Sequence, residues 1–132
     1  MADLVVNSST NKQILDITGQ IQDELENRHQ SGSGAMAVNL LHTTAGLTMA
    51  DLDPGTDQDF LDFVRAITPD IQWRHPHDPS HTPSHLLSSL IGTTLAIPFA
   101  DGRLQLGTWQ RIILVELDGP RERSIAVAGL GS

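Results

Sequence analysis

The sequence has no cysteine and no tyrosine, only two tryptophans and three phenylalanines, and 8 Lys and Arg against 16 Asp and Glu. Each shortage excludes something. Without cysteine there are no disulfides and no thiolate metal sites, so any metal must be held by imidazole, carboxylate or water. A cysteine-free chain accords with a reducing compartment, and the expected location is the cytoplasm. The formal charge of −8 is wrong for a phosphate backbone, which needs stripes of Lys and Arg, so nucleic acid is not an expected partner. The same charge disfavours an anionic membrane surface. No apolar run is long enough to span a bilayer. Met1-Ala2-Asp3-Leu4 lacks the basic head and apolar stretch of a signal peptide. Walker loops, dinucleotide-type glycine patterns and G-x-S-x-G elbows are also missing.

What is present suits one domain over residues 1–132, with enough Leu, Ile and Val to build a core. That core is small for a lone monomer, because small domains bury a lower fraction of their surface, and oligomer formation would help.

Along the chain, Leu4–Val6 open a short apolar segment and Asn7–Asn11 have turn chemistry. Residues 13–18 admit two readings: Ile14, Ile17, Ile21 and Leu25 have helical spacing with Thr10 and Gln13 as a capping box, but the Ser/Asn-rich turn favours residues 13–17 as a strand paired with residues 3–7, followed by a helix capped by Thr18 and running to about Arg28. His29 at its end makes a favourable contact with the helix dipole, and Ser31-Gly32-Ser33-Gly34 close the helix. Ala35 to Thr43 reads as a buried strand. A second helix begins near Asp57 or Gln58 and is stopped by Pro69. Residues 69–84 read as a long structured loop, of the kind that is usually functional, and residues 84–90 as a helical turn. Asp101-Gly102 between two strand-like runs signals a hairpin, and Pro98 puts an edge or bulge in its first arm. Trp109–Leu117 and Ser124–Val127 are further strands, joined by the turn Asp118-Gly119-Pro120. The fold class is α+β, a mainly antiparallel sheet or sandwich with two helices.

Five of the six histidines fall between Leu41 and Leu86: His42, His75, His77, His81 and His85. Imidazole suits zinc and other borderline divalent ions, and a catalytic zinc takes three protein ligands and keeps one position open. The spacing alone also fits a polar, solvent-facing loop. Pro79 and Pro83 argue against a regular helix through His77, His81 and His85.

Several stretches together add to this. His42-Thr43-Thr44-Ala45-Gly46-Leu47-Thr48, Trp73-Arg74-His75 and His85-Leu86-Leu87-Ser88-Ser89-Leu90 are followed by Asp101-Gly102-Arg103-Leu104, Leu106-Gly107-Thr108-Trp109-Gln110 and Asp118-Gly119-Pro120-Arg121. In this order and spacing they resemble the YjbQ-like family (UPF0047), also called the secondary thiamine-phosphate synthase family. The resemblance covers nearly the whole chain and is most specific from Ser88 to Gln110. It implies a compact, jelly-roll-like β-sandwich with helices and a homotrimer. It also implies a divalent metal, zinc by preference, on the positions of His42, His75 and His85. The implied activity joins a pyrimidine diphosphate to a thiazole phosphate and releases pyrophosphate, so a small phosphorylated substrate is expected. The alternative is a non-catalytic trimeric module that binds a metal or a small anion.

The chain departs from the family pattern at three places. His81 stands where many relatives have Asn, and is a possible fourth ligand that would close the site. Leu87 replaces a basic residue, and Ala50, followed by Asp51, replaces an Asn. Asp51 is the expected catalytic carboxylate; with Asp53 it can equally be a loop or helix-capping residue. Ser88, Ser89, Trp109 and Gln110 are the expected substrate-binding residues. Against this stand local capping for the serines and a core role for the tryptophan. Arg121 suits an anion contact or a surface ion pair.

Overall fold

The computed structural model describes residues 3–28 and 32–131. Among these, the chain runs β1 (Leu4–Asn7), β2 (Gln13–Asp16), α1 (Thr18–Asn27), β3 (Gly34–Leu40), β4 (Ala45–Ala50), α2 (Thr56–Ile67), a 3-10 turn (Pro79–His81), α3 (Thr82–Ile91), β5 (Thr94–Ala100), β6 (Arg103–Leu104), β7 (Arg111–Glu116) and β8 (Glu122–Gly131). The dipole contact expected of His29 lies outside the described residues.

All strand pairs are antiparallel. They form a five-stranded sheet in the order β1-β8-β3-β5-β6 and a three-stranded sheet in the order β2-β7-β4. The expected antiparallel α+β architecture is therefore present, with corrections in detail. β2 does not pair with β1: β1 lies on β8 and β2 on β7, in different sheets. The link between them is a crossover, not a hairpin. It wraps the β7–β8 turn, where the Gly119 amide donates to the Asn11 carbonyl at 2.8 Å. Thr18 is the first helical residue rather than the cap. Its hydroxyl donates to Asp16 Oδ1 (2.7 Å) and accepts from the Ile112 amide (2.8 Å), which ties α1 to β7.

The helices number three among the described residues, not two. Proline disfavours a helix interior, but Pro79 opens the 3-10 turn and Pro83 sits in the first turn of α3, where no intrahelical N–H is required. Asp78 completes the start by accepting from the Ser80 amide at 3.0 Å. The expected loop of residues 69–84 thus contains two helix starts. The Asp101-Gly102 hairpin is present: both residues have positive φ, 53° and 74°, as the tight turn between β5 and β6 demands.

β7 organises the interior. It is buried on both faces, so its run Ile112-Ile113-Leu114-Val115 is continuously apolar instead of alternating. Ile112 and Leu114 face the main core with Met36, Val38, Ile97, Phe99 and Ile125, closed at one side by Ile21 and Leu25 of α1. Ile113 and Val115 face a second cluster with Val64 of α2 and Leu87 of α3. Gly46 of β4 lets α3 come close, since a Cβ there would stand 2.8 Å from the Ile91 side chain and 3.1 Å from the Gly92 carbonyl.

The period of two carries one further consequence. Glu116 follows Ile112 and Leu114 on the inward face of β7, and Arg123 precedes Ile125 and Val127 on the inward face of β8. The two charges meet between the sheets, with side chains 0% and 1% exposed. Arg123 Nε donates to Glu116 Oε1 at 2.9 Å and Nη2 donates to Oε2. Ser8 adds a hydroxyl bond to Oε1 at 2.6 Å. Burial raises the Glu116 pKa, but hydrogen bonds from Arg123, Ser8 and the Asp118 amide outweigh it and leave the carboxyl below its ordinary 4.5.

Replacing Glu116 by Gln leaves the Arg123 charge buried without its partner, and should cost about 3–5 kcal/mol in chemical denaturation at pH 7. Because the folded pKa lies below the unfolded one, this carboxylate's contribution is complete above about pH 4.5 and is lost as pH falls through the folded value. The variant should therefore show less loss of stability on acidification than the wild type.

Candidate functional site: a histidine-lined cleft

The Glu116–Arg123 pair underlies a polar cleft of about 570 Å³. Three segments build it: the link from β3 to β4, the turn and first residues after β7, and the start of α3. His42, Thr43 and Thr44 line it from the first, Asp118, Arg121 and Arg123 from the second, His81 and His85 from the third. A second polar hollow shares Leu41, His42 and Thr43 and extends toward Asn39, Ser88 and Thr93.

Each wall is fixed differently. Arg123 Nη2 donates to the carbonyl and hydroxyl of Thr44, both at 3.0 Å, so the buried pair also pins the first wall. The Leu41 amide donates to the Ser124 carbonyl at 3.0 Å, and the Ser124 amide donates back to His42 Nε2 at 2.9 Å. His42 is thereby locked to β8. Desolvation lowers its pKa below 6.5, helped by Arg123 and Arg121 and opposed by Glu116. Arg121 turns onto Asp118, with Nε to the carbonyl at 2.7 Å and Nη2 to the carboxylate at 2.9 Å. The third wall is looser. His81 Nε2 lies 3.3 Å from Asp78 Oδ2. His75 stacks on His85, with ring centres 4.8 Å apart and planes inclined by 14°. His75 Nδ1 is buried and has no hydrogen-bond partner among the described residues.

The other expected site residues stand outside this cleft, Ser88 and Ser89 on the adjoining hollow that shares His42. Ser88 is buried and donates to the Ala45 carbonyl at 2.6 Å, which holds α3 on β4; Ser89 donates to the His85 carbonyl at 3.2 Å. Asp51 and Trp109 line a separate small pocket with Asp16, Asp53 and Arg111. Gln110 caps the neighbouring turn by accepting from the Gly107 amide at 2.8 Å. That pocket is at the far end of β4 and β7, roughly 17 Å from the cleft by the rise per residue of a strand. Trp109 is 68% exposed, so it is not core. Sequence reasoning missed Glu116, Arg123, Ser8 and Thr44. The available signal was a charge on each of two inward strand faces otherwise occupied by Ile, Leu and Val.

A family model described as UPF0047 protein YjbQ-like matches residues 2–132. The chain belongs to the YjbQ-like UPF0047 family. A UPF0047 protein of Archaeoglobus fulgidus is 33% identical over 129 residues, covering 97% of this chain and 99% of that one. The UPF0047 protein YjbQ of Salmonella typhimurium is 37% identical over 116 residues, covering 80% and 81%. The structure of a YbjQ-like protein of unknown function from Sulfolobus solfataricus superimposes with a TM-score of 0.89 at 32% identity, covering 98% of this chain and 94% of that one.

The metal that the resemblance implies can be tested on the residues themselves. His42 has its Nε2 committed to a backbone amide. The lone pairs of stacked rings lie in nearly parallel planes, so His75 and His85 do not aim at one ion about 2.0–2.1 Å from each nitrogen. Among the described residues no three His, Asp or Glu side chains are grouped to hold a metal. As arranged in this chain, His42, His75 and His85 do not form a ligand set.

The lowered pKa of His42 predicts an imidazole titration midpoint below 6.5 by NMR. The unfolded chain then binds more protons than the folded one in that window. Stability should rise with pH through it and be complete above about pH 6.5.

Proposed function

We propose that the cleft binds a small phosphorylated substrate and is the catalytic site of a transferase. The observation that carries this reading is that Arg121, Arg123 and His42 bring N–H donors to one polar cleft, which the carboxylates Asp118 and Glu122 also line, in a chain of net charge −8. Its volume is within the range of small-molecule sites. Cations and fixed N–H groups are what a phosphorylated ligand requires.

The specific transfer carried over from the family resemblance couples a pyrimidine diphosphate to a thiazole phosphate. The carbon–oxygen bond to the diphosphate breaks, its electron pair leaves with pyrophosphate, and the thiazole nitrogen bonds to the freed carbon. The difficulty is the charge on the departing pyrophosphate; Arg121 and Arg123 line the cleft, each already paired with a carboxylate, Asp118 and Glu116, so what they would offer it is the N–H groups left over from those pairs. Asp51, the expected catalytic carboxylate, lies outside the cleft of its own chain, in the pocket it shares with Asp16, Asp53, Trp109 and Arg111. The cytoplasm is the proposed location; no helix among the described residues is long and apolar enough to cross a membrane.

A second reading adds a divalent metal, zinc by donor chemistry. It is favoured by the buried, unpartnered Nδ1 of His75. Binding would require the His75–His85 stack to open. The proposed assembly is a homotrimer, supported by exposed Phe63, Ile67, Ile71, Leu86 and Leu90 and by an apolar groove of about 410 Å³ lined by Ile67, Trp73, Leu86 and Leu90. Such surface is unusual on a small monomer.

Calorimetric titration should show pyrophosphate binding, weakened about 10- to 100-fold in Arg121→Ala, the effect of one charge-assisted hydrogen bond. Incubation with both precursors should yield thiamine phosphate; no turnover together with intact pyrophosphate binding would leave only a binding module. Turnover unchanged by chelator would remove the metal reading. Light scattering at micromolar concentration should give three times the chain mass of 14.3 kDa.

A further inference from the structure

We infer that His42 serves as a neutral hydrogen-bond donor to the bound anion through Nδ1, and is not a metal ligand. The reasoning starts from a backbone bond. The Ser124 amide donates to His42 Nε2 at 2.9 Å, so Nε2 must carry a lone pair and not a proton. An imidazolium is a donor at both nitrogens, which excludes that form while the bond stands. The single ring proton is then on Nδ1. Rotating the ring by half a turn would set a C–H against the Ser124 amide and leave that amide without its acceptor, so the assignment does not depend on how the ring was drawn.

The same backbone clasp makes the ring rigid. Leu41 donates to the Ser124 carbonyl and His42 accepts from the amide of the same residue. A two-point attachment to β8 fixes where Nδ1 is held. His42 lines the cleft, and Nδ1 makes no hydrogen bond to any described residue. A metal at Nε2 would displace the Ser124 amide. A metal at Nδ1 would force the proton onto Nε2, where it would face another N–H.

Arg123 provides the companion donor. Its side chain is 1% exposed, and Nε and Nη2 are engaged by Glu116 and Thr44. Nη1 is the guanidinium nitrogen without a bond to a described residue, and Arg123 lines the same cleft. On this inference Nη1 would add a second fixed N–H to the one that His42 presents, both held in place before a phosphoryl oxygen arrives. This inference rests on the reading of the cleft as an anion site, and gives His42 a role opposite to the one implied by the family resemblance.

The decisive measurement is a long-range proton–nitrogen NMR correlation on the full chain labelled with nitrogen-15 at histidine. His42 should show the Nδ1–H tautomer. Inorganic pyrophosphate should shift its Nδ1, and Zn²⁺ should leave the His42 nitrogens in place. Calorimetry on His42→Ala should show at least tenfold weaker pyrophosphate binding and unchanged Zn²⁺ binding. An Nε2–H tautomer, a Zn²⁺-induced shift at either His42 nitrogen, or loss of Zn²⁺ affinity in the variant would overturn the inference. Full pyrophosphate affinity in His42→Ala would also overturn it while the anion site stood. No pyrophosphate binding by the wild type would overturn both. The tautomer measurement and the Zn²⁺ and pyrophosphate shifts at the His42 nitrogens use wild-type protein, so they hold even if the variant fails to fold.

Discussion

The buried pair of Glu116 and Arg123 is the constraint on which the rest depends. Two charges with essentially no exposure are held at the rim of an otherwise apolar interior. Such a pair adds little net stability over a well-packed apolar alternative, because both ions lose their water, yet removing one partner is severe. What the pair provides is position. It joins β7 of one sheet to β8 of the other, engages Ser8 from the crossover between the sheets, and grips Thr44 before β4. Every one of these contacts lies beside the cleft. The core ends in a polar network instead of a methyl layer at the edge where the site lies.

Much of the fold was legible because local chemistry and tertiary packing agree. Asp101-Gly102 specifies its hairpin, Pro69 follows the end of α2, and the apolar run of β7 reads as a buried strand. The failures have physical causes. The Ser/Asn-rich stretch after Val6 reads as a hairpin turn joining β1 to β2, whereas the partner of β2 is β7, reached by wrapping the β7–β8 turn. Pro79 and Pro83 read as breakers, which shortens α3 to a turn in sequence although it runs Thr82–Ile91. Both occupy helix starts, where the missing N–H is no loss. β4 went unread: Ala-Gly-Leu-Thr-Met-Ala has weak strand propensity, and β7 imposes the strand by pairing.

The candidate site was legible in part. Histidine density pointed to His42, His81 and His85, which share the cleft, and to His75, stacked on its edge. The carboxylate and aromatic candidates were not separable by spacing, since Asp51 and Trp109 lie at the opposite end of the same strand pair. Sequence gave no means of seeing that His42 accepts a bond from Ser124, 82 positions away. A contact of that separation exists only once β3 and β8 are side by side.

The cleft therefore has walls of unequal stiffness. His42, Thr44 and Arg123 are held by strands and by one another, so their donors need no rearrangement when an anion arrives. His81 and His85 belong to the start of α3, with His75 on the segment before it. Their contacts are a ring stack and a half-exposed ion pair with Asp78, both weak in water. Preorganised donors lower the barrier for the charge that develops in a reaction. The rigid half sits on the sheets and their core, where the Glu116–Arg123 pair fixes it. The adjustable half sits on a helix that reaches the sheet through Ser88 and the space left by Gly46. If the cleft takes the anion proposed for it, the locked donors are the part that meets it without rearrangement, and the remaining histidines are the part held only by a ring stack and a half-exposed ion pair.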